Sequence, residues 1–190
     1  MLAENRKRKS QDLAKKPSIF GFMSHEEKDY ILIPSVSSER RDYIPIGFMP
    51  PSVIPSNLVL TIYDANLYHF GVLTSLMHMT WVRSVGGRLE SRYRYSNKIV
   101  YNNFLWPTEV REGREEQVKR AAQYVLDVRN TYASATLADL YDPNTMPADL
   151  LKAHQALDKA VDACYRSKPF KGEGERMSFL LGVYEKLNCA

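Results

Sequence analysis

The chain has 190 residues, of which 44% are hydrophobic and 25% charged, with four histidines, two cysteines and a net charge of +4. That is enough for one medium domain or two small ones, with the composition of an ordinary globular protein. No apolar run approaches the roughly 20 residues that cross a bilayer, so a membrane role is not expected. The basic start MLAENRKRKSQDLAKK has no apolar stretch behind it and does not read as a secretory signal. Cys164 and Cys189 show neither metal nor redox spacing, and a reduced, cytoplasmic setting is the simplest expectation.

In chain order, residues 3–16 are polar helix formers ended by Pro17 and read as a linker helix over 1–16. YILI (30–33) and YIPIGFM (43–49) predict short strands, with SVSSERRD as the polar loop between them. Pro45 argues for an edge or a bulge in the second strand. NLVLTIY (57–63) predicts a buried strand. LYHFGVLTSLMHMTWVRSV carries Leu67, Phe70, Leu73, Met77 and Trp81 at helical spacing, which predicts one amphipathic helix stopped by Gly86 and Gly87. Two more strands are expected, over 89–96 and in KIVYNNFLWP (98–107).

After Pro107 the pattern turns helical. Val118, Ala121, Ala122, Val125 and Val128 mark one helix. Pro147 opens a second, striped by Leu150, Leu151, Ala153, Leu157, Ala160, Val161 and Cys164. GERMSFLLGVYEKL predicts a third. The expected fold is α+β: a small mixed sheet with an amphipathic helix over residues 17–110, then a small all-α domain over 111–190. Charge divides along the same line. Through Pro107 there are 14 Lys+Arg against 9 Asp+Glu, a balance of +5, and from Thr108 onward 12 against 13, a balance of −1. The basic excess sits in the first part; it suits a nucleic-acid-facing surface, but many ordinary solvated surfaces are equally basic.

Catalytic chemistry is not evident. His69 and His78 are nine residues apart on one predicted helix, too far for an i, i+4 metal pair, and His25 and His154 stand apart from them. Cys164 lies in an apolar helical setting and reads as a structural cysteine. No GxSxG, HExxH, Walker A or GxGxxG pattern is present. Neither a catalytic residue nor a cofactor or metal site is expected within the chain.

The stretch GGRLESRYRYS (86–96) is the most informative. In a strand, Glu90, Arg92 and Arg94 would share one face, while Tyr93 and Tyr95 on the other would anchor it. Such charges can be a solvated face of little energetic value. They are also the chemistry of the DNA major groove: arginine pairs with guanine O6 and N7, and a carboxylate accepts from cytosine N4. A neighbouring Glu and Arg could read both halves of one C·G pair.

At this point the sequence resembles a known family. IPSVSSERRDYIPIGFMPP, NLVLTIYDANLYHFGVLTSLMHMTWVRSVGGRLESRYRYS and IVYNNFLWP are similar to the target-recognition domain of the MmeI-like (type IIL) restriction–modification enzymes. TLADLYDPNTMPADLLKAHQALDKAVD and KPFKGEGERMSFLLGVYEKL resemble the helical C-terminal domain that follows it. The resemblance implies a double-stranded DNA recognition module of an adenine-N6 methyltransferase. The methyltransferase core would lie upstream in the same polypeptide, with S-adenosylmethionine, and Mg if a nuclease is present, held there rather than here. It further implies that Glu90 and Arg92 read one base pair, since relatives carry either Glu-x-Arg or Lys-x-Asp at these positions. A second pair falls at Ser35 and Asn57, where relatives carrying Asn57 tend to have Glu in place of Ser35. Leu58 and Arg94 form a third. Arg40, Arg41, Arg83, Arg88 and Lys98 are phosphate-contact candidates from charge and neighbourhood. The rival expectation is a protein-interaction domain that packs on a catalytic core and touches no DNA.

Overall fold

A computed structural model of the chain describes residues 25–189 and, apart from these, only Ala14. The linker helix expected near the N-terminus therefore falls outside the described stretch. Six strands are described: β1 (Tyr30–Pro34), β2 (Val36–Ser37), β3 (Gly47–Met49), β4 (Val59–Tyr63), β5 (Gly87–Leu89) and β6 (Arg92–Arg94). The helices are α1 (Leu67–Leu73), α2 (Leu76–Val85), α3 (Arg114–Thr131), α4 (Leu137–Leu140), α5 (Ala148–Tyr165) and α6 (Glu173–Asn188), with a π-helical turn at Asn97–Tyr101. The α+β class is borne out. The single mixed sheet is not: among the described residues there are two three-stranded sheets, ordered β3-β1-β4 and β2-β6-β5, and every pairing is antiparallel.

Several predicted elements are shorter than expected, each for a local reason. Tyr43–Ile46 is buried but not a strand. Pro45 has no N–H to give to a ladder, Ile46 N–H bonds the Ile44 carbonyl at 2.8 Å, and pairing begins only at Gly47. The polar loop SVSSERRD supplies β2 instead of staying irregular. The long predicted helix breaks at Thr74–Ser75. Both hydroxyls donate back to carbonyls, Thr74 to Phe70 and Ser75 to Val72, each at 2.7 Å. Such bonds compete with the helical ladder, and Ser75 then caps α2. Residues 98–107 are not a strand either. Ser96 caps the π-helical turn, and the Trp81 indole N–H holds the Val100 carbonyl at 3.0 Å, turning the chain inward.

The three predicted long helices form as expected, and the stripes of the first two complete one core with the sheets. Val118, Ala122, Val125, Leu150, Ala153, Leu157 and Val161 are buried in the same cluster as Ile31, Ile33, Phe70 and Met77. Gly71 shows how close the approach is. A Cβ placed there would lie 2.7 Å from Val118 Cγ1 and 3.2 Å from both Ala122 Cβ and Leu157 Cδ1. The backbone of α1 thus nests directly on α3 and α5.

A buried polar network ties the same elements together. Arg129 donates to the Tyr141 hydroxyl and to the Ile46 carbonyl at 2.6 Å, and Tyr141 and His154 Nε2 are hydrogen-bonded at 2.6 Å. Tyr43 stacks on His154 with ring centroids 4.1 Å apart and donates to Asp158 at 2.7 Å. The other Asp158 oxygen accepts the Leu76 N–H at 2.7 Å, so a carboxylate from α5 caps the start of α2. Burial holds His154 well below the usual imidazole range, lowers His78 to about 3 and lifts Asp158 to about 6.

These shifts set an acid response. Below about pH 6.5 the unfolded chain binds protons at His78 and His154 that the folded chain refuses, for His78 down to about pH 3, so stability falls as pH falls. Each histidine contributes a slope of about 1.4 kcal/mol per pH unit. Asp158 opposes them, because between about pH 3.8 and 6 the folded form holds the extra proton. Chemical denaturation at pH 7, 5.5 and 4 should show a net loss, and His78→Gln should flatten the slope by about one proton. An unchanged slope in that variant would show that His78 titrates normally in the fold.

Candidate DNA-reading face

The two sheets meet at Ser35. Its N–H bonds the Leu58 carbonyl at 3.0 Å, and its carbonyl accepts the Tyr95 N–H at 2.8 Å. One residue between β1 and β2 thereby joins the start of β4 to the end of β6. Three sequence-predicted sites, Ser35, Asn57–Leu58 and Arg94, are brought to one junction by this knot. Asn57 and Leu58 are exposed there, with Leu58 at 68% despite its apolar side chain, and Ser35 is half-buried.

From the junction, β6 runs back to the hairpin that carries Glu90 and Arg92. Arg94 pairs with Val36 and Gly87, Tyr93 with Ser37 and Arg88, and Arg92 with Leu89. The continuous strand expected over 89–96 is therefore a tight hairpin, β5–β6, with Glu90 and Ser91 at its tip. Glu90 sits on the turn rather than within a strand, and its φ of 57° lies in the left-handed region. An L-residue there costs roughly 1–2 kcal/mol that glycine would not. The Glu90 carboxylate nevertheless meets the Arg92 guanidinium at 2.7 Å. The two side chains are 77% and 46% exposed, so the pair adds little stability. It does hold an acceptor and a donor fork side by side.

The rest of the hairpin conforms to the strand reading. Arg92 and Arg94 are exposed and flank the buried Tyr93. At roughly 3.3 Å per residue they stand about 6.6 Å apart, close to two base-pair rises of about 3.4 Å. Tyr93 and Tyr95 anchor the strand from below, and Tyr95 and His78 Nε2 are hydrogen-bonded at 2.8 Å. The position of β5 depends on Gly86, where a Cβ would lie 2.4 Å from the Val82 carbonyl oxygen. Only glycine lets the chain leave α2 so closely.

The five candidate phosphate cations divide into two groups. Arg83 is 19% exposed and forms ion pairs with Asp42 at 3.4 Å and Glu173 at 2.9 Å. Arg88 lies 4.0 Å over the Tyr93 ring and reaches the Ser91 and Arg83 carbonyls. Both guanidinium groups have partners in the frame, which charge and neighbourhood in sequence could not disclose, and Arg88 remains exposed. Arg41 also has a partner within the chain, the exposed Ala138 carbonyl at 3.4 Å. Arg40 and Lys98 are exposed and, among the described residues, form no salt bridge.

The histidines and the buried cysteine serve the fold. His69 completes the cap of α1 with Asn66, and His25 contacts the Tyr63 hydroxyl at 3.2 Å and the Pro51 carbonyl at 2.7 Å. Burial pushes the Cys164 thiol up to about 11, away from thiolate chemistry. Among the described residues, no group of three or more His, Cys, Asp or Glu could hold a metal ion, and no helix is long and apolar enough to cross a membrane.

Comparison with known proteins gives the family. The family described as "MmeI, target recognition domain" matches residues 2–108, and that described as "MmeI, C-terminal domain" matches residues 101–190. The chain belongs to the MmeI family. DNA methyltransferase A of Bacillus subtilis (strain 168) is 46% identical over 165 residues, covering 86% of this chain and 18% of that protein. The solved type IIL restriction–modification enzyme MmeI, in complex with DNA, superposes with a TM-score of 0.89 at 46% identity, covering 96% of this chain and 24% of that one. The chain thus spans about a fifth to a quarter of the length of the relatives it matches. The resemblance carried by IPSVSSERRDYIPIGFMPP and GGRLESRYRYS is borne out.

Proposed function

We propose that this MmeI-family chain reads double-stranded DNA sequence through the β5–β6 hairpin and the Ser35 junction, on behalf of an adenine-N6 DNA methyltransferase. That enzyme's catalytic core, S-adenosylmethionine site and any nuclease with its Mg belong to upstream parts of the same cytoplasmic polypeptide. The observation that carries the reading is the exposed Glu90–Arg92 pair, held at 2.7 Å on a turn whose backbone favours glycine. Strain kept where it adds nothing to stability is characteristic of working sites. In the major groove the pair offers an acceptor for the cytosine amine and a donor fork for guanine O6 and N7. Arg94 with Leu58, and Asn57 with Ser35, address further base pairs from the junction. Arg40 and Lys98 meet phosphates and set register without reading sequence.

In this reading, residues 17–110 form the recognition domain and residues 111–190 the helical domain, and the chain performs no reaction by itself. The helical part braces the hairpin through the Glu173–Arg83 ion pair and the Asp158 cap on α2. The exposed Leu181 and Leu187 on α6 favour an added packing role against the upstream core.

Duplex binding measured over a salt series tests the proposal. Phosphate neutralisation makes log affinity fall linearly with log salt, and removing both Arg40 and Lys98 should lower that slope by about two while weakening all sequences alike. No binding in low salt, or a flat response, would sink the DNA reading and leave the interaction-domain alternative standing.

A further inference from the structure

The turn that follows β2 places a further acid, Glu39, and a further guanidinium, Arg40, beside the hairpin. β2 ends at Ser37, opposite Tyr93. The antiparallel register therefore carries Ser38 and Glu39 alongside Arg92 and the hairpin tip. There the chain reverses: Arg41 N–H bonds the Ser38 carbonyl and Arg40 N–H bonds Ser38 Oγ, each at 3.3 Å. Glu39 and Arg40 occupy the two corners of the turn, and both are exposed.

One buried side chain fixes both tips. Tyr93 is 6% exposed; its ring carries Arg88 and its hydroxyl donates to the Glu39 carbonyl at 3.4 Å. Its strand neighbours are Arg92 and Arg94. On the far side of the turn, Arg83 holds the Arg41 and Asp42 carbonyls, each at 3.4 Å. The Glu39 turn is thus held in a set position relative to the Glu90–Arg92 pair, as base reading requires.

We propose that Glu39 is a further specificity residue. It accepts a hydrogen bond from the amino group of cytosine or adenine at a base pair within two steps of the one met by Glu90 and Arg92. This rests on the DNA-reading assignment above. Among the described residues no salt bridge neutralises the Glu39 carboxylate. A bare carboxylate set against a polyanion is unfavourable unless it finds a donor, and the major-groove donors are cytosine N4 and adenine N6. Neighbouring strands lie about 4.8 Å apart and base pairs rise about 3.4 Å, so one strand spacing corresponds to one or two steps.

The experiment is site selection by methylation from a duplex randomised across and beyond the recognition sequence, with the complete polypeptide that carries this chain. Glu39→Ala should erase a preference for cytosine or adenine at one position, changing base use there by about 5- to 150-fold and leaving other positions alone. Glu39→Lys should turn that position toward guanine or thymine, whose edges present acceptors. The double variant Glu90→Lys, Arg92→Asp is run beside them. If it switches its own position while the Glu39 variants change no position, or weaken all sequences equally, Glu39 is a solvated turn residue and the extension is overturned alone. If the double variant switches nothing, both assignments fall.

Discussion

Replacing Glu90 by Lys and Arg92 by Asp together should move the selected base pair from C·G to G·C at one position and leave the rest of the site unchanged. The two side chains touch at 2.7 Å on adjacent arms of the β5–β6 turn, so exchanging cation and carboxylate mirrors the donor and acceptor pattern offered to the groove. A good bidentate contact discriminates by about 1–3 kcal/mol, so each wrong pairing should cost roughly 5- to 150-fold. Glu90→Lys alone should be worse than the double change. It sets two cations against one guanine edge and leaves the cytosine amine without an acceptor. Lysine at position 90 inherits the same left-handed backbone, so the swap does not alter the cost of the turn.

Glu90→Gly separates the roles of backbone and side chain. It relieves the left-handed strain and should hold or raise stability, by up to about 1 kcal/mol, yet lose discrimination at the same position. Site selection and denaturation on the same preparations decide the matter. A double variant that selects the parental sequence would make the hairpin a solvated face.

The largest stability effect is expected at Arg176. Its guanidinium meets Asp162 through two bonds of 2.9 and 2.7 Å, tying α6 to α5, and the two side chains are only 10% and 11% exposed. Arg176→Leu leaves a nearly buried carboxylate without its partner, which costs about 3–5 kcal/mol. For a chain of this size that corresponds to a drop of roughly 6–20 °C in melting temperature. Removing both charges, with Asp162→Leu added, should recover most of the loss, because an apolar pair carries no desolvation penalty. The consequence extends to the reading face, since α6 begins with Glu173, the partner of Arg83 beneath the hairpin. A loss under about 1 kcal/mol for Arg176→Leu would show that Asp162 is solvated in the fold.

What the sequence determined by itself is what repeats locally. The stripes of α3 and α5 span many turns, and YILI and NLVLTIY carry enough apolar residues to mark β1 and β4, because those faces must leave water whatever they pack against. The motifs around GGRLESRYRYS likewise held the family and the candidate reading residues, since side-chain chemistry at fixed spacing is a property of the chain. Tertiary structure decided where periodicity is short or interrupted. Glu90–Ser91 has neither glycine nor asparagine to announce a turn, and only pairing of Arg92 with Leu89 and of Tyr93 with Ser37 closes the hairpin. The split between α1 and α2 is completed by Asp158, 82 positions away from Leu76. Arg83 reads in sequence as a free surface cation, whereas in the fold Glu173 engages it, and Arg88, still exposed, lies over the Tyr93 ring. The Ser35 knot, which gathers three candidate reading positions at one junction, consists of backbone bonds to Leu58 and Tyr95. Backbone bonds between distant segments leave no side-chain signature, so only the folded chain reveals them.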